Sequence, residues 1–232
     1  MEKSLIVAAI VVVGAIGAAF LYWRYFWFFR NPRRTPPPGD GILCPADGTV
    51  VYVKTVEPHE EVISIKKGNR ISVDGIVRER LDRTVVLIGV FMSPFDVHYN
   101  RSPLPGYVGC IRHHSAPYGN LAMGSMHWRS LRNREPHHEN SPHIAQNERT
   151  VTRIDGAFRE TAVSCYLVQI AGKNVDRIVS YFKEGEIVDR GEVFGLIRLG
   201  SQVDMVVPWL EGMQIRVKPG DKVRAGETVF ID

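Results

Sequence analysis

The stretch MQIRVKPGDKVRAGETVFI (213–231) decides how the rest of the chain is read. Two runs of strand-forming residues, MQIRV (213–217) and ETVFI (227–231), flank the turn Lys218-Pro219-Gly220-Asp221. Gly226-Glu227 marks a second reversal. A degenerate copy of the pattern, GEIVDRGEVFG, lies at 185–195. Working outward, Val, Ile, Tyr and Phe cluster in short runs at 42–53, 62–66, 84–92, 162–170, 177–182, 193–199 and 203–207. Gly, Pro and Asp-Gly signals separate them, which is the signature of short strands joined by tight turns. No long amphipathic helix interrupts them. The expected fold is mainly β, a barrel or a sandwich hybrid.

The 232 residues carry 29 Lys and Arg against 25 Asp and Glu, a net charge of +4. Residues 1–39 hold five of the bases (Lys3, Arg24, Arg30, Arg33, Arg34) and one acid, Glu2. The remaining 193 residues balance at 24 of each sign. A neutral domain lacks the basic face that nucleic-acid binding needs, so no nucleic-acid partner is expected. A hydrophobic share of 44% excludes a disordered chain. Three cysteines (Cys44, Cys110, Cys165) without a CxxC motif read as buried thiols in a reducing compartment.

Residues 5–23, LIVAAIVVVGAIGAAFLYW, are 19 positions without a charge. That is enough to span a bilayer core of about 30 Å as a helix. An aromatic run follows at Tyr22–Phe29, then Arg30, Arg33 and Arg34. The order, apolar run first and bases after it, is the reverse of a secretory signal. It places the C-terminal side in the cytoplasm. Residues 1–30 are thus expected to anchor the chain in the cell membrane, 31–41 (NPRRTPPPGDG) to form a Pro-rich hinge, and 42–232 to form the functional domain. Ala15 and Ala19 have a spacing that lets helices approach, and a homo-oligomer is compatible with it.

Residues 112–149 differ from the rest, being polar and carrying six of the eight histidines. Without a cysteine or a helical i,i+4 histidine pair, they read as a solvated loop and no metal site is expected. Leu121, Met123, Met126 and Trp128 within it are candidates to touch lipid or line a substrate entrance.

Three short segments carry the chemistry. Pro45-Ala46-Asp47-Gly48 reads locally as a hairpin turn. SPFDVHYNRSP (93–103) puts Asp96, His98 and Arg101 just beyond an apolar strand. Leu199-Gly200-Ser201 is a Gly-Ser pair at another strand end. In combination and order, these segments resemble the phosphatidylserine decarboxylase family, particularly its short, membrane-anchored, archaeal-type members. FFRNPRR (28–34), Asn147-Glu148-Arg149, Gln169-Ile170-Ala171-Gly172 and GEIVDRGEVFGLIRLGS (185–201) belong to the same likeness.

The resemblance implies a proenzyme that cuts itself between Gly200 and Ser201 into chains 1–200 and 201–232, which stay together as a heterodimer. It implies that Ser201 becomes a covalently bound pyruvoyl group, the cofactor for removing CO2 from a phosphatidylserine-type membrane lipid (archaetidylserine or phosphatidylserine). By the same likeness Ser201 is the nucleophile, His98 the base and acid, and Asp47 the group that orients the base, as in a hydrolase triad. Many relatives have a second histidine where this chain has Arg101. Arginine stays protonated and cannot serve as a base, so Arg101 is assigned to the substrate phosphate or carboxylate. Gln202 stands where many relatives have Ser or Thr, which bears on the processing rate.

A rival reading starts from 213–231, which looks like a biotinyl or lipoyl hammerhead. A membrane helix followed by such a module fits a non-enzymatic adaptor protein. That reading calls for a long helical hairpin and gives SPFDVHYNRSP no role.

Overall fold

The computed structural model describes residues 2–58, 60–66, 69–173, 178–198 and 201–232, apart from the side chains of Glu2 and of 62–70. It divides into an N-terminal unit ending at Pro32 and a folded unit from Arg33 to Asp232.

In the N-terminal unit, helix α1 (Glu2–Tyr22) runs into a π-helical turn, Trp23–Trp27. From Leu5 to Tyr22 its side chains are apolar on every side and exposed. A helix that is hydrophobic all round has no polar face to give to water. The stretch Lys3–Trp27 has 25 residues and contains an 18-residue window of mean hydropathy 2.7, long and apolar enough to cross a membrane. Arg30 ends the unit with its guanidinium stacked 4.4 Å from the Trp27 ring.

The folded unit is mainly β. Its strands are β1 (Ile42–Leu43), β2 (Gly48–Val56), β3 (Glu61–Lys66), β4 (Asn69–Ser72), β5 (Val85–Met92), β6 (Tyr99–Arg101), β7 (Gly106–His114) and β8 (Arg149–Phe158). They continue with β9 (Thr161–Ala171), β10 (Ile178–Ser180), β11 (Ile187–Val188), β12 (Val193–Ile197), β13 (Ser201–Pro208), β14 (Lys222–Val223) and β15 (Val229–Ile231). Short helices α2 (Val73–Val77), α3 (Gly124–Leu131) and α4 (His143–Gln146) complete it.

Eight strands form one curled antiparallel sheet, a half-barrel, in the order β11-β7-β8-β9-β13-β5-β2-β14. A three-stranded sheet, β10-β12-β6, stands beside it, with the pairs β1–β15 and β3–β4. The central strands β5 and β13 are buried at every position. One face of the large sheet packs Val50, Ile88, Val90, Val203, Met205 and Val207 into a core with Phe194 and Phe230. The other packs Val51, Leu87, Phe91, Val168 and Val206 against Ile76, Met126 and Ile144 of the helices. Burial on both faces is why VVLIGVFM reads as a continuous apolar run instead of an alternating one.

The long strands β7 and β8 escaped the sequence reading, as did the short β4, β6, β11 and β14. β7 and β8 carry Arg112, His113, His114, Arg153 and Asp155, and β7 buries Val108 and Cys110 while leaving most of its other residues partly or fully exposed. Residues 213–217 were expected to form a strand but contribute a single bridge, Ile215 to Ile231. The 112–149 segment is not a solvated loop: it forms α3 and α4 and buries His137 and His143 completely. Met123 and Met126 join the core, whereas Trp128 remains 55% exposed. All three cysteines are buried thiols.

Arg34, one of the bases that follow the apolar run, turns into the folded unit. It bridges Asp47 at 2.8 Å and Glu227 at 2.6 Å with its side chain 8% exposed.

Candidate active site

Two chain crossovers between the sheets define the site. Strand β5 ends at Met92 in the large sheet, and residues 93–98 carry the chain over to β6 in the small sheet. Strand β12 runs back along β6, and the chain re-enters the large sheet at Ser201, the first residue of β13. Ser201 pairs with Met92 on one side and Ala171 on the other. The Ile197 N–H donates to the His98 carbonyl at 3.3 Å, tying the crossovers together. Gly200 lies outside the described residues, as does Leu199.

Ser201 is fully buried, and its hydroxyl donates to Met92 Sδ at 3.5 Å. His98 is fully buried as well, with Nδ1 2.9 Å from the Asp96 carbonyl oxygen. A carbonyl oxygen only accepts, so Nδ1 carries the proton and Nε2 is the basic nitrogen. Asp96 holds the turn beneath it by accepting from the Ser93 N–H at 2.8 Å.

Asp47 stands at the same end of the large sheet, directly before β2, where Thr49 pairs with Phe91. Its carboxylate accepts from Arg34 and from the Ala225 N–H, both at 2.8 Å. Burial pushes its carboxyl up, against the opposing pull of those two donors. The Asp-Gly pair makes no two-residue hairpin. Gly48 opens β2 at φ +152, and a Cβ there would lie 2.1 Å from the Phe91 carbonyl oxygen. Arg101 is 9% exposed and donates to the Gly191 carbonyl at 2.9 Å. Burial lowers its pKa; the neighbouring Arg34 adds to this while Asp47 and Glu227 oppose it.

The sequence reading missed a polar network on the other face of β13, behind Ser201. The Gln202 amide donates to Tyr52 Oη at 2.5 Å and to Asp204 Oδ1 at 2.6 Å. The Tyr52 hydroxyl donates to the same Asp204 oxygen at 2.7 Å. His143 Nε2 donates to Gln202 Oε1 at 3.1 Å, which joins helix α4 to the residue after Ser201. Burial raises Asp204 to about 6 and lowers His143 to about 4. Burial also lowers the nearby Arg149 to about 10, and the Arg149 guanidinium donates to the Asn147 and Ile76 carbonyls. The available signal was Asp204 itself, one acid inside the apolar run VDMVV.

A second missed pair lies on the Ser201 side. Asn100 and Gln169 are fully buried and joined at 2.8 Å. Both fall inside motifs quoted above, where neither was given a role. Among the described residues, no group of three or more His, Cys, Asp or Glu is placed to hold a metal ion.

A sequence model of the family described as phosphatidylserine decarboxylase matches residues 21–231. A phosphatidylserine decarboxylase proenzyme of Burkholderia mallei (strain SAVP1) is 31% identical, covering 99% of this chain and 89% of the relative. One from Chlorobium phaeovibrioides is 35% identical, covering 96% of this chain and 82% of the relative. Another, from Chlorobium limicola, is 33% identical over 93% of this chain.

Proposed function

Because the chain belongs to the phosphatidylserine decarboxylase family, we propose that it is a self-cleaving proenzyme. Its mature form removes CO2 from the serine head group of a membrane phospholipid, leaving the ethanolamine lipid. The observation that carries this reading is the setting of Ser201. It is a fully buried serine at a sheet-to-sheet crossover, its hydroxyl on a weak thioether acceptor, beside the crossover that carries His98.

A serine hydroxyl attacks only when a base removes its proton. His98 Nε2 takes that proton as Ser201 Oγ bonds to the Gly200 carbonyl carbon. The C–N bond then breaks, the Ser201 nitrogen leaves as an amine, and an ester remains. Loss of the Ser201 α-proton breaks the Cβ–Oγ bond and expels the Gly200 carboxylate. Uptake of water and release of ammonia leave a pyruvoyl group at the head of 201–232.

Position 201 fits that group. The backbone is held by ladder partners on both sides, and the position is sealed from solvent. Once formed, the group supplies an electron sink for the departing CO2. The surrounding residues do the rest. His98 returns a proton to the substrate α-carbon. The Asp96 carbonyl orients the imidazole through Nδ1, and Asp47 stands at the same end of the sheet with its carboxylate held by Arg34 and the Ala225 N–H. Arg101 is the guanidinium assigned to the phosphate or carboxylate of the lipid, which a planar fork can grip with two hydrogen bonds. Helix α1 keeps the enzyme at the bilayer, with the folded unit on the cytoplasmic side as the flanking bases favour.

A denaturing gel with intact mass tests the reading. The wild type should appear as two chains divided at Gly200/Ser201, and Ser201→Ala as one chain of 26.1 kDa. A wild type that stays whole, with Ser201 unmodified, would reject self-processing and favour the adaptor reading. The short helices of the folded unit already count against that reading, since α2, α3 and α4 have five, eight and four residues. Vesicles containing phosphatidylserine or its ether-linked archaeal counterpart, assayed for CO2 release, would identify the lipid.

A further inference from the structure

Asn100 lies on β6, two residues beyond His98, and is fully buried. Its Nδ2 donates to Met92 Sδ at 3.7 Å. The same sulphur receives the Ser201 hydroxyl at 3.5 Å. A thioether is a weak acceptor, so an amide N–H resting on one in a dry site gives up little when a better acceptor forms. The amide cannot turn round without loss. Asn100 Oδ1 accepts from Gln169 Nε2 at 2.8 Å, and a reversed amide would put an oxygen against a sulphur that has no proton to give.

The local build holds this pair together. Gly195 is the register partner of Asn100 on β12. A Cβ at 195 would lie 3.1 Å from Gln169 Nε2 and 2.7 Å from the Val179 carbonyl oxygen. Only a residue without a side chain leaves Gln169 room to reach across to Asn100. Three strands (β6, β9 and β12) thus cooperate to aim one amide toward the sulphur on which Ser201 rests.

We propose that Asn100, aligned by Gln169, donates a hydrogen bond to the oxyanion formed when Ser201 attacks the Gly200 carbonyl. The inference rests on the self-processing reading above. In that step the Oγ–C bond forms, the Oγ proton passes to His98, and the carbonyl π pair moves onto oxygen. The oxyanion and Oγ are then substituents of one carbon. The charge forms one bond from the carbon that Oγ attacks, and Oγ rests on the same buried sulphur as the Asn100 amide, away from water, where a fixed donor is most effective. Collapse returns the pair, breaks the C–N bond and frees Asn100 to return to Met92. Asn100 is a catalytic residue of the self-cleavage, and Gln169 is a positioning residue.

The test follows self-cleavage of the full-length protein in detergent by gel and intact mass, with and without hydroxylamine. Hydroxylamine cuts the ester but not the peptide bond. Asn100→Ala and the isosteric Asn100→Asp should slow cleavage about 10²–10³-fold, as loss of one such donor does. Neither should accumulate hydroxylamine-sensitive chain, because the slowed step precedes the ester. In Gln169→Glu the introduced carboxylate, once ionised, accepts only and turns the Asn100 amide away from the sulphur. Its cleavage should fall as pH rises through the pKa of that carboxylate and recover below it, a dependence absent from the wild type. Wild-type rates in the Asn100 variants, or an accumulating ester, would overturn the proposal. If Asn100→Ala does not fold, Asn100→Asp decides. A wild type that itself never cleaves removes the parent reading too; a cleaving wild type with unaffected variants removes this inference alone.

Discussion

Asp204 and His143 face each other across Gln202, and burial perturbs them in opposite directions. Asp204, raised to about 6, holds its proton more tightly in the native state than in the unfolded chain. Its contribution to stability therefore falls as pH rises from about 4 to about 6. His143, lowered to about 4, holds its proton less tightly when folded. Its contribution rises with pH from about 4 to about 6.5. Each effect is on the order of 3 kcal/mol, so they nearly cancel in the wild type. Asp204→Asn should make stability climb with pH across this window, and His143→Gln should make it decline. Urea unfolding of both variants in a Ser201→Ala background at pH 4.5 and 6.5, in mild detergent, would show this. Slopes of the same sign would refute the assignment. At this scale the sequence was informative where a motif had a fixed order: the strand ends bearing Ser201, His98 and Asp47 all fall at one end of the large sheet. The direct partners of these residues were not legible. Arg34 on Asp47 and the Asp96 carbonyl on His98 come from chain segments whose approach no local pattern encodes.

Among the elements, β5 shows what one missing side chain permits. A Cβ at Gly89 would stand 2.4 Å from Tyr52 Cε2 and 2.9 Å from Asp204 Oδ1. Gly89→Ala should therefore destabilise the folded unit by about 1–3 kcal/mol, as overpacking does. Gly124→Ala on α3, with nothing within 4 Å of the added carbon, should be neutral or slightly stabilising. A thermal melt of each variant separates the two cases; equal melting temperatures would contradict the packing argument. Helix α1 makes a different prediction. With apolar side chains exposed all round, it should keep the full chain in the membrane fraction through alkaline carbonate extraction. Release into the supernatant would contradict the anchor. The helix and the fully buried strands β5 and β13 were legible in sequence because every position along them obeys one rule. Strands β7 and β8 were not, since their charged residues satisfy strand and loop equally well.

For the whole molecule, the proposed cleavage position has a mechanical consequence. Strand β13 begins at Ser201 and pairs with β5 and β9 in the middle of the eight-stranded sheet. Both its faces are buried. A cut just before it severs the chain without exposing the core, so residues 1–200 and 201–232 should co-elute in native size exclusion and separate only in denaturant. A short chain lost under native conditions would disprove this. The sequence by itself determined the apolar N-terminal helix, the β character, the neutral domain and the family likeness, because periodicity, charge and ordered motifs are local properties. The tertiary structure decided which polar groups meet. It drew Arg34 into the fold, buried histidines that had read as solvated, and set Asn100 and Gln169 beside Ser201. Those encounters depend on long-range strand register and on the shared burial of groups far apart in the chain. Neither is written in any short stretch of residues.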